Sequence, residues 1–271
     1  MELAEARAET ADSIPEGSAL LRVDGVTIRF GGVTALQDVR FAVASGAICG
    51  LIGPNGAGKT TLFNCISRLY DPHSGTIEFD GRALANVARH EIAALGIART
   101  FQNVALFATM TTRDNVRVGA HALARGGFLA NALALPFAAR EERRVCERAD
   151  ALIEEFGLAR VADRPVGELP FGVRKRVELA RALAIEPKLL LLDEPAAGLN
   201  HEEVDALAAE IRAIRDRRKL AVLLVEHHMN LVMRVSDQVV ALEFGRVIAD
   251  GPPERVRNDP EVVRAYLGSG N

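Results

Sequence analysis

The chain contains 271 residues, of which 49% are hydrophobic and 25% are charged, a composition typical of a globular α/β domain with room for a subdomain. Its formal net charge of −3 provides no bulk attraction to nucleic acid or to an anionic membrane, so we expect no nucleic-acid partner. No apolar run approaches the ~18 residues of a membrane span, and residues 1–18 are acidic rather than signal-like. Three cysteines without Cys-x-x-Cys spacing favour a reducing, cytosolic compartment.

The first predicted elements follow a flexible N-terminal extension, residues 1–19, to which we assign no role. Apolar and polar residues alternate from Leu20 to Phe30, which predicts a half-buried strand, and residues 35–43 predict a second strand that pairs nearby. Phe30 ends the first strand. It could stack on an adenine ring or belong to the core, and its position alone favours neither.

Residues 53–60 read Gly-Pro-Asn-Gly-Ala-Gly-Lys-Thr and fit the phosphate-loop pattern, in which glycines let successive N–H groups point at one anion. A predicted buried strand, 47–52, enters this loop, and a helix that leaves it aims its N-terminal dipole at the phosphates. Lys59 can reach the β- and γ-phosphates, and Thr60 can offer its hydroxyl to Mg²⁺. The ordered strand, loop and helix disfavour a chance glycine-rich turn, so we predict a nucleoside triphosphate site. Its predicted contacts are Gly53, Pro54, Asn55, Gly56, Ala57, Gly58, Lys59, Thr60 and Thr61.

The middle of the chain reads differently from its two ends. Residues 75–81 predict a short strand between turn glycines, and Gln102 is a lone amide of a kind that usually lies on a surface. From about residue 111 to 161 Ala, Leu, Arg and Glu dominate in a helical pattern, interrupted by Gly126, Gly127 and Pro136. This stretch predicts a helical subdomain inserted into the nucleotide-binding core.

Two adjacent carboxylates follow the next predicted strand. Residues 167–187 predict a turn that opens a helix, and residues 188–192 form a continuous apolar run of the kind buried in parallel sheets. Asp193 and Glu194 therefore lie at a carboxyl end of the sheet, where ligands of open α/β folds bind. Asp193 can hold Mg²⁺, usually through water, and Glu194 can act as general base on the attacking water. The alternative is that both acids only cap the following helix.

A second buried strand, residues 221–225, follows an amphipathic helix predicted over 202–218 and ends at Glu226-His227-His228. The histidine pair could indicate a metal site, but the other four histidines are scattered along the chain. A strand-end histidine beside the triphosphate is the better interpretation of His227. A hairpin with its turn at Gly245 and a helical tail, 252–267, complete the prediction.

Together these motifs resemble the ATP-binding subunit of ABC transporters, and the resemblance extends from residue 20 to the end of the chain. It implies that Gln102 is the Q-loop glutamine, which takes part in Mg²⁺ binding and coupling, and that Asp193 and Glu194 are the Walker B aspartate and the catalytic glutamate. It also implies that His227 is the switch histidine and that Phe30 stacks on adenine. Residues 169–173 fall at the signature motif, where Gly172 and Val173 would contact nucleotide, and residues 198–200 at the D-loop.

The implied fold is an α/β P-loop NTPase core with an antiparallel β subdomain and an inserted α-helical subdomain. In that scheme residues 20–101 and 162–251 form the nucleotide-binding core, 102–161 the Q-loop and helical subdomain, and 252–271 a helical tail. Residues 98–103, 193–200, 225–229 and 259–268 look most like importers of branched-chain amino acids. That likeness implies ATP and Mg²⁺ as cofactors, two permease subunits, a second and related ATPase subunit, and indirectly a solute-binding protein. It also implies a peripheral position on the cytoplasmic face of the membrane. An ABC exporter, a cytosolic ABC ATPase and a non-catalytic nucleotide-binding regulator are the alternatives.

The signature motif departs from the family pattern. Many relatives have Leu-Ser-Gly-Gly-Gln where this chain has Leu169-Pro170-Phe171-Gly172-Val173. Pro170 has neither a hydroxyl nor an N–H, so it cannot donate to a γ-phosphate. Any contribution of this motif to hydrolysis would therefore come from the backbone amides near Gly172 and Val173. We expect that contribution to be weaker than the one made by a Leu-Ser-Gly-Gly-Gln motif.

Overall fold

The computed structural model describes residues 19–100, 105–121 and 136–267. The chain divides into two compact units, one made of residues 1–92 and 191–271 and the other of residues 93–190. The strands are β1 Ala19–Phe30, β2 Val33–Ala44, β3 Ile48–Ile52, β4 Ser74–Phe79, β5 Arg82–Ala83, β6 Ile97–Arg99, β7 Leu189–Asp193, β8 Ala221–Val225, β9 Gln238–Glu243 and β10 Arg246–Gly251. The α-helices are α1 Lys59–Ile66, α2 Ile92–Leu95, α3 Thr112–His121, α4 Pro136–Glu155, α5 Phe171–Leu183, α6 His201–Arg218, α7 Met229–Val235, α8 Pro253–Arg257 and α9 Pro260–Leu267.

An antiparallel sheet in the first unit has the strand order β2-β1-β4-β5. Val23 of β1 lies opposite Phe41 of β2 on one side and opposite Ile77 of β4 on the other. All three side chains are buried, and they share one face of the sheet because residues directly opposite one another on neighbouring strands point to the same side. The predicted pairing of the first two strands is confirmed.

A mostly parallel sheet carries the loops of interest, in the order β10-β9-β3-β8-β7-β6. β3 runs parallel to both β8 and β9, and β10 closes the edge as an antiparallel hairpin with β9. Every residue of β3, β7 and β8 is buried, as their continuous apolar sequences predict. β3 and β8 run parallel, and the N–H of Glu194, directly after β7, donates to the carbonyl of Val225 at the end of β8. The loops after these three strands therefore leave the sheet at the same edge.

Helix α7 packs closely on β3. A Cβ atom at Gly50 would lie 2.4 Å from Cγ1 of Val232, so only glycine permits this approach of helix to strand. Helix α6 begins with a capping box, in which the Asn200 side chain accepts from the N–H of Glu203 at 3.0 Å and the Glu203 carboxylate accepts from the N–H of Asn200 at 2.9 Å. The amphipathic helix predicted over 202–218 is confirmed.

The second unit is largely helical, and α3 and α5 pack backbone against backbone. A Cβ atom at Gly119 would lie 2.2 Å from the carbonyl oxygen of Arg181. Buried Asn115 ties the start of α3 to the preceding loop, since its side-chain amide donates to the carbonyl of Phe107 at 3.1 Å and its Oδ1 accepts from the N–H of Phe107 at 2.9 Å. In the same unit the N–H of Leu189 donates to the carbonyl of Gly96 at 3.1 Å, which places β6 beside the start of β7.

Cys49 in β3 and Cys65 in α1 are buried free thiols. Burial raises the pKa of Cys49 well above its usual value and raises that of Cys65 to about 12. Their interpretation as small hydrophobic residues of the core is confirmed. Across the residues described here, no helix combines the length and the apolar composition that crossing a membrane requires.

Candidate functional site

The phosphate loop follows β3 and is confined on two sides by backbone. Gly53 has φ 152°, and a Cβ atom there would lie 2.2 Å from the carbonyl oxygen of Leu242. Gly58 has φ 103°, and its Cβ atom would lie 2.7 Å from the carbonyl oxygen of Ala35. These positions require glycine, because both the positive φ and the close contacts exclude a side chain.

The β9–β10 turn supports the far end of this loop. The N–H of Gly245 donates to the carbonyl of Ala57 at 3.0 Å, and the carbonyl of Gly245 accepts from the N–H of Gln37 at 2.8 Å. A Cβ atom at Gly245 would lie 2.6 Å from the carbonyl oxygen of Ala35. A turn almost two hundred residues later in the chain therefore fixes the shape of the loop.

Lys59 begins helix α1 and folds back over the loop. Its Nζ donates to the carbonyl of Gly53 at 2.6 Å and to that of Pro54 at 3.0 Å, and the residue is buried. Burial lowers the pKa of Lys59, while the negative charges of Glu194 and Asp193 raise it. The ammonium group thus lies in the field of both carboxylates while held by backbone oxygens.

Thr60 and the tip of the loop, Asn55 and Gly56, are exposed, whereas Ala57 is buried. The amide of Ala57 donates to the carbonyl of Pro54 at 3.1 Å, and the amide of Leu62 donates to the carbonyl of Gly58 at 2.9 Å as the helix starts. A hydroxyl and a turn of backbone at a helix N-terminus are therefore open to a ligand, an arrangement suited to anions.

Asp193 and Glu194 lie where β7 ends. Asp193 is buried, and Glu194 has φ 47°, a left-handed conformation that few non-glycine residues adopt. Two backbone hydrogen bonds hold it there: its N–H donates to the carbonyl of Val225 at 2.9 Å, and its carbonyl accepts from the N–H of Ala197 at 3.1 Å. Backbone strain of this kind is common at functional sites.

Glu226 is a fully buried carboxylate between the two strand ends. Its Oε1 accepts from the N–H of Ala196 at 2.7 Å, and its Oε2 accepts from the N–H groups of His227 at 3.2 Å and His228 at 3.4 Å. Nδ1 of His227 lies 3.9 Å from Oε2 of Glu194 and 3.9 Å from Oε2 of Glu226. Glu226 therefore fixes the backbone of both the 194–197 turn and His227.

Phe30 is not a core residue, since 45% of it is exposed. Its ring meets that of Tyr70 edge to face, with centroids 5.1 Å apart and an interplanar angle of 66°. Of the two alternatives left by the sequence, burial in the core is wrong, and stacking on a base stays a prediction.

The signature segment opens helix α5 in the second unit. Pro170 is the N-cap residue, and its carbonyl accepts from the N–H groups of Val173 and Arg174, each at 3.0 Å. The Val173 N–H therefore already has an acceptor in its own helix. The Gly172 N–H lies before the first hydrogen bond of the helix, in the turn whose N–H groups have no acceptor within the helix. Gln102 lies outside the described residues.

Three contributors to the site were missed by sequence reasoning: Glu226, Gly245 as a support of the loop, and Tyr266, whose hydroxyl accepts from the N–H of Gly53 at 2.8 Å. Glu226 had one signal, an acid directly after an apolar strand. Among the residues that the structure describes, no group of three His, Cys, Asp or Glu side chains is arranged to hold a metal ion.

The chain matches known proteins over nearly its whole length. Residues 36–197 match the family described as ABC transporter, and residues 246–270 match the family described as branched-chain amino acid ATP-binding cassette transporter. The high-affinity branched-chain amino acid transport ATP-binding protein BraF of Pseudomonas aeruginosa is 44% identical over 249 residues, which cover 92% of this chain and 98% of BraF. The corresponding protein LivG of Escherichia coli is 41% identical, with the same coverage.

Solved structures agree with the sequence comparison. A nucleotide-free ATP-binding cassette from an ABC transporter superposes with a TM-score of 0.79 at 30% identity, covering 92% of this chain and 98% of that one. An ATP-binding cassette in its ADP conformation gives the same TM-score and identity, covering 99% of that chain. With the two sheets and the helical unit, these matches confirm the predicted P-loop fold.

Proposed function

Because the chain belongs to the ABC transporter family, as one of its ATP-binding ATPase subunits, we propose that it powers an importer of branched-chain amino acids or a related small polar solute. The observation that carries the proposed chemistry is the position of Asp193 and Glu194 at the end of β7, near the phosphate loop. Both carboxylates interact electrostatically with Lys59 of that loop. The match of residues 246–270 and the names of the relatives support the cargo class.

In the proposed site the backbone of residues 53–60 surrounds the phosphates. Thr61, in the first turn of α1, is the last of the proposed nucleotide contacts. Phosphate oxygens would replace the carbonyls of Gly53 and Pro54 as acceptors for Lys59. This exchange is favourable because a buried ammonium ion gains a negatively charged partner in place of two neutral ones. We further propose that the exposed ring of Phe30 stacks on the adenine.

Oxygen ligands suited to Mg²⁺ are available in the Thr60 hydroxyl and the Asp193 carboxylate, and the proposed set includes Gln102. Mg²⁺ usually takes one or two protein ligands together with phosphates and water, so two well-placed oxygens are sufficient. The ion would neutralise charge on the β- and γ-phosphates. Glu194 would take a proton from the attacking water, and His227, 3.9 Å away, would hold that water and the γ-phosphate in line.

We propose that each ATP lies between the phosphate loop of one subunit and the signature segment of a second, related ATPase subunit. The remaining proposed partners are two permease subunits and, indirectly, a solute-binding protein, with the assembly at the cytoplasmic face of the membrane. The division of residues 20–271 into core, helical subdomain and tail is retained as part of this proposal.

Pro170→Ser should raise ATP turnover of the assembled transporter by roughly fivefold. The serine hydroxyl would add one hydrogen bond to the γ-phosphate of the opposite site, and one such bond is worth about 1 kcal/mol. Steady-state ATPase assays check this result. Pro170→Ala is the matched control, since it restores the N–H without a hydroxyl. Unchanged turnover in Pro170→Ser would exclude a deficit caused by this position.

The proposed function is tested by purifying the chain with an N-terminal tag from gently solubilised membranes of its host. Two polytopic permease subunits and a second ATPase should be recovered with it, and their solute-binding protein can then be titrated with leucine, isoleucine and valine. Recovery of ribosomes or nucleic acid without a permease would contradict the importer and favour a cytosolic ABC ATPase. Recovery of an exporter permease would contradict only the direction of transport.

A further inference from the structure

The C-terminal helix α9 reaches the first residue of the phosphate loop. The hydroxyl of Tyr266 accepts a hydrogen bond of 2.8 Å from the N–H of Gly53, across 213 residues of sequence. Gly53 is buried, so this N–H would be shielded from water if the hydroxyl were removed. Burial raises the pKa of Tyr266, while the hydrogen bond from Gly53 lowers it, and the net rise keeps the hydroxyl neutral at physiological pH.

Gly53 is held at three points. Its N–H is bound by Tyr266, its carbonyl accepts from Nζ of Lys59 at 2.6 Å, and its Cα faces the carbonyl oxygen of Leu242, which a Cβ atom would approach to 2.2 Å. The tyrosine hydroxyl and the lysine ammonium group are therefore hydrogen-bonded to the two ends of one residue, the N–H and the carbonyl of Gly53. The orientation of the Gly53 backbone determines where its carbonyl points, and this carbonyl is one of the two acceptors that hold Lys59 before nucleotide binds.

Helix α9 is well anchored for this role. Val262 of α9 is buried in an apolar cluster with Ile52, the residue directly before the loop, and with Ala241 of β9. Tyr266 packs against the same cluster. On its outer side Arg264 pairs with Glu243 at 3.3 Å, where β9 ends. The packing holds the helix in place without the Tyr266 hydroxyl, so the hydrogen bond from Gly53 to this hydroxyl has a different role.

We propose that Tyr266 is a positioning residue for the nucleotide site, which holds Gly53 in the orientation that shapes the phosphate loop before nucleotide binds. Without the hydroxyl, the start of the loop gains conformations in which the Gly53 N–H reaches water. Only the fraction of molecules in the phosphate-cradling shape binds, so the apparent affinity falls by that fraction. The inference rests on the nucleotide site of the proposed function.

Tyr266→Phe keeps the ring and its packing and removes only the hydroxyl. The dissociation constant for ADP, measured by calorimetric titration of the purified full-length chain, should rise about fivefold, as should KM for ATP. The kcat of the assembled ATPase should stay within about twofold, because Glu194 and His227 lie outside the loop. The result is thus a change in KM without a matching change in kcat.

Val262→Ala is the matched control, because it weakens the packing of the same helix and keeps the hydroxyl. It should lower the melting temperature and leave the ADP dissociation constant unchanged. If Tyr266→Phe binds ADP as tightly as the wild type, or if both variants lose affinity in proportion to melting temperature, the positioning role is wrong. A wild-type chain that fails to bind ADP would instead contradict the proposed nucleotide site, so the two failures are distinguishable.

Discussion

Glu194→Gln should leave ADP binding within about threefold of the wild type and lower ATP turnover by at least ~100-fold, the usual contribution of a general base. Glutamine has nearly the shape of glutamate, and the two hydrogen bonds that hold residue 194 at φ 47° involve only its backbone. The fold of the turn should therefore survive. The variant loses the carboxylate that would accept a proton from water.

The measurement is a single-turnover ATPase assay beside a nucleotide titration of the same preparation. Glu147→Gln provides the control for loss of one negative charge, since Glu147 is an exposed residue of α4, and it should turn over ATP at the wild-type rate. Turnover retained in Glu194→Gln would exclude Glu194 as the base and would leave His227 to be tested by His227→Ala.

Glu226→Gln should destabilise the protein by about 2 kcal/mol, a typical value for hydrogen bonds to a charged group. The carboxylate accepts from three backbone N–H groups, and a glutamine side chain must direct its own N–H₂ at one or more of those donors. For a chain of this length the melting temperature should fall by roughly 4–8 °C. Turnover should also fall, by about tenfold, because the same oxygens position the 194–197 turn and His227.

Differential scanning calorimetry and ATPase assays check both parts of this prediction. His228→Ala is the control, since it removes an exposed ring and keeps the N–H that Glu226 accepts from, so its melting temperature should match that of the wild type. If Glu226→Gln loses stability without losing turnover, the carboxylate is structural only. If it loses neither, its hydrogen bonds are replaced in the variant.

The phosphate loop could be predicted from sequence because its determinants are local. Glycines, Lys59 and Thr60 are contiguous, and the strand and helix around them have unambiguous patterns. Asp193 and Glu194 could also be predicted from the sequence, since they directly follow an apolar strand whose carboxyl end lies at a known edge of the sheet. The short strand β6 was not predicted, because its three residues are too few to show a period.

The supports of the loop are not encoded locally. Gly245 reads as an ordinary hairpin glycine, and only the folded chain brings its N–H to the carbonyl of Ala57. Tyr266 occupies one position in a short helical tail, with no pattern to indicate a partner 213 residues earlier. The sequence Glu226-His227-His228 indicates a role for a histidine ring and gives no sign that the Glu226 carboxylate accepts hydrogen bonds from the backbone N–H groups of both histidines.

The burial of two of the three thiols provides a route to spectroscopy on the native sequence. Cys49 and Cys65 are covered and protonated, whereas Cys146 of α4 is partly exposed, so a maleimide dye should react at Cys146 selectively. The dye would lie in the second unit, on helix α4. Its fluorescence would then report changes around α4 when ATP is added, with no residue replaced.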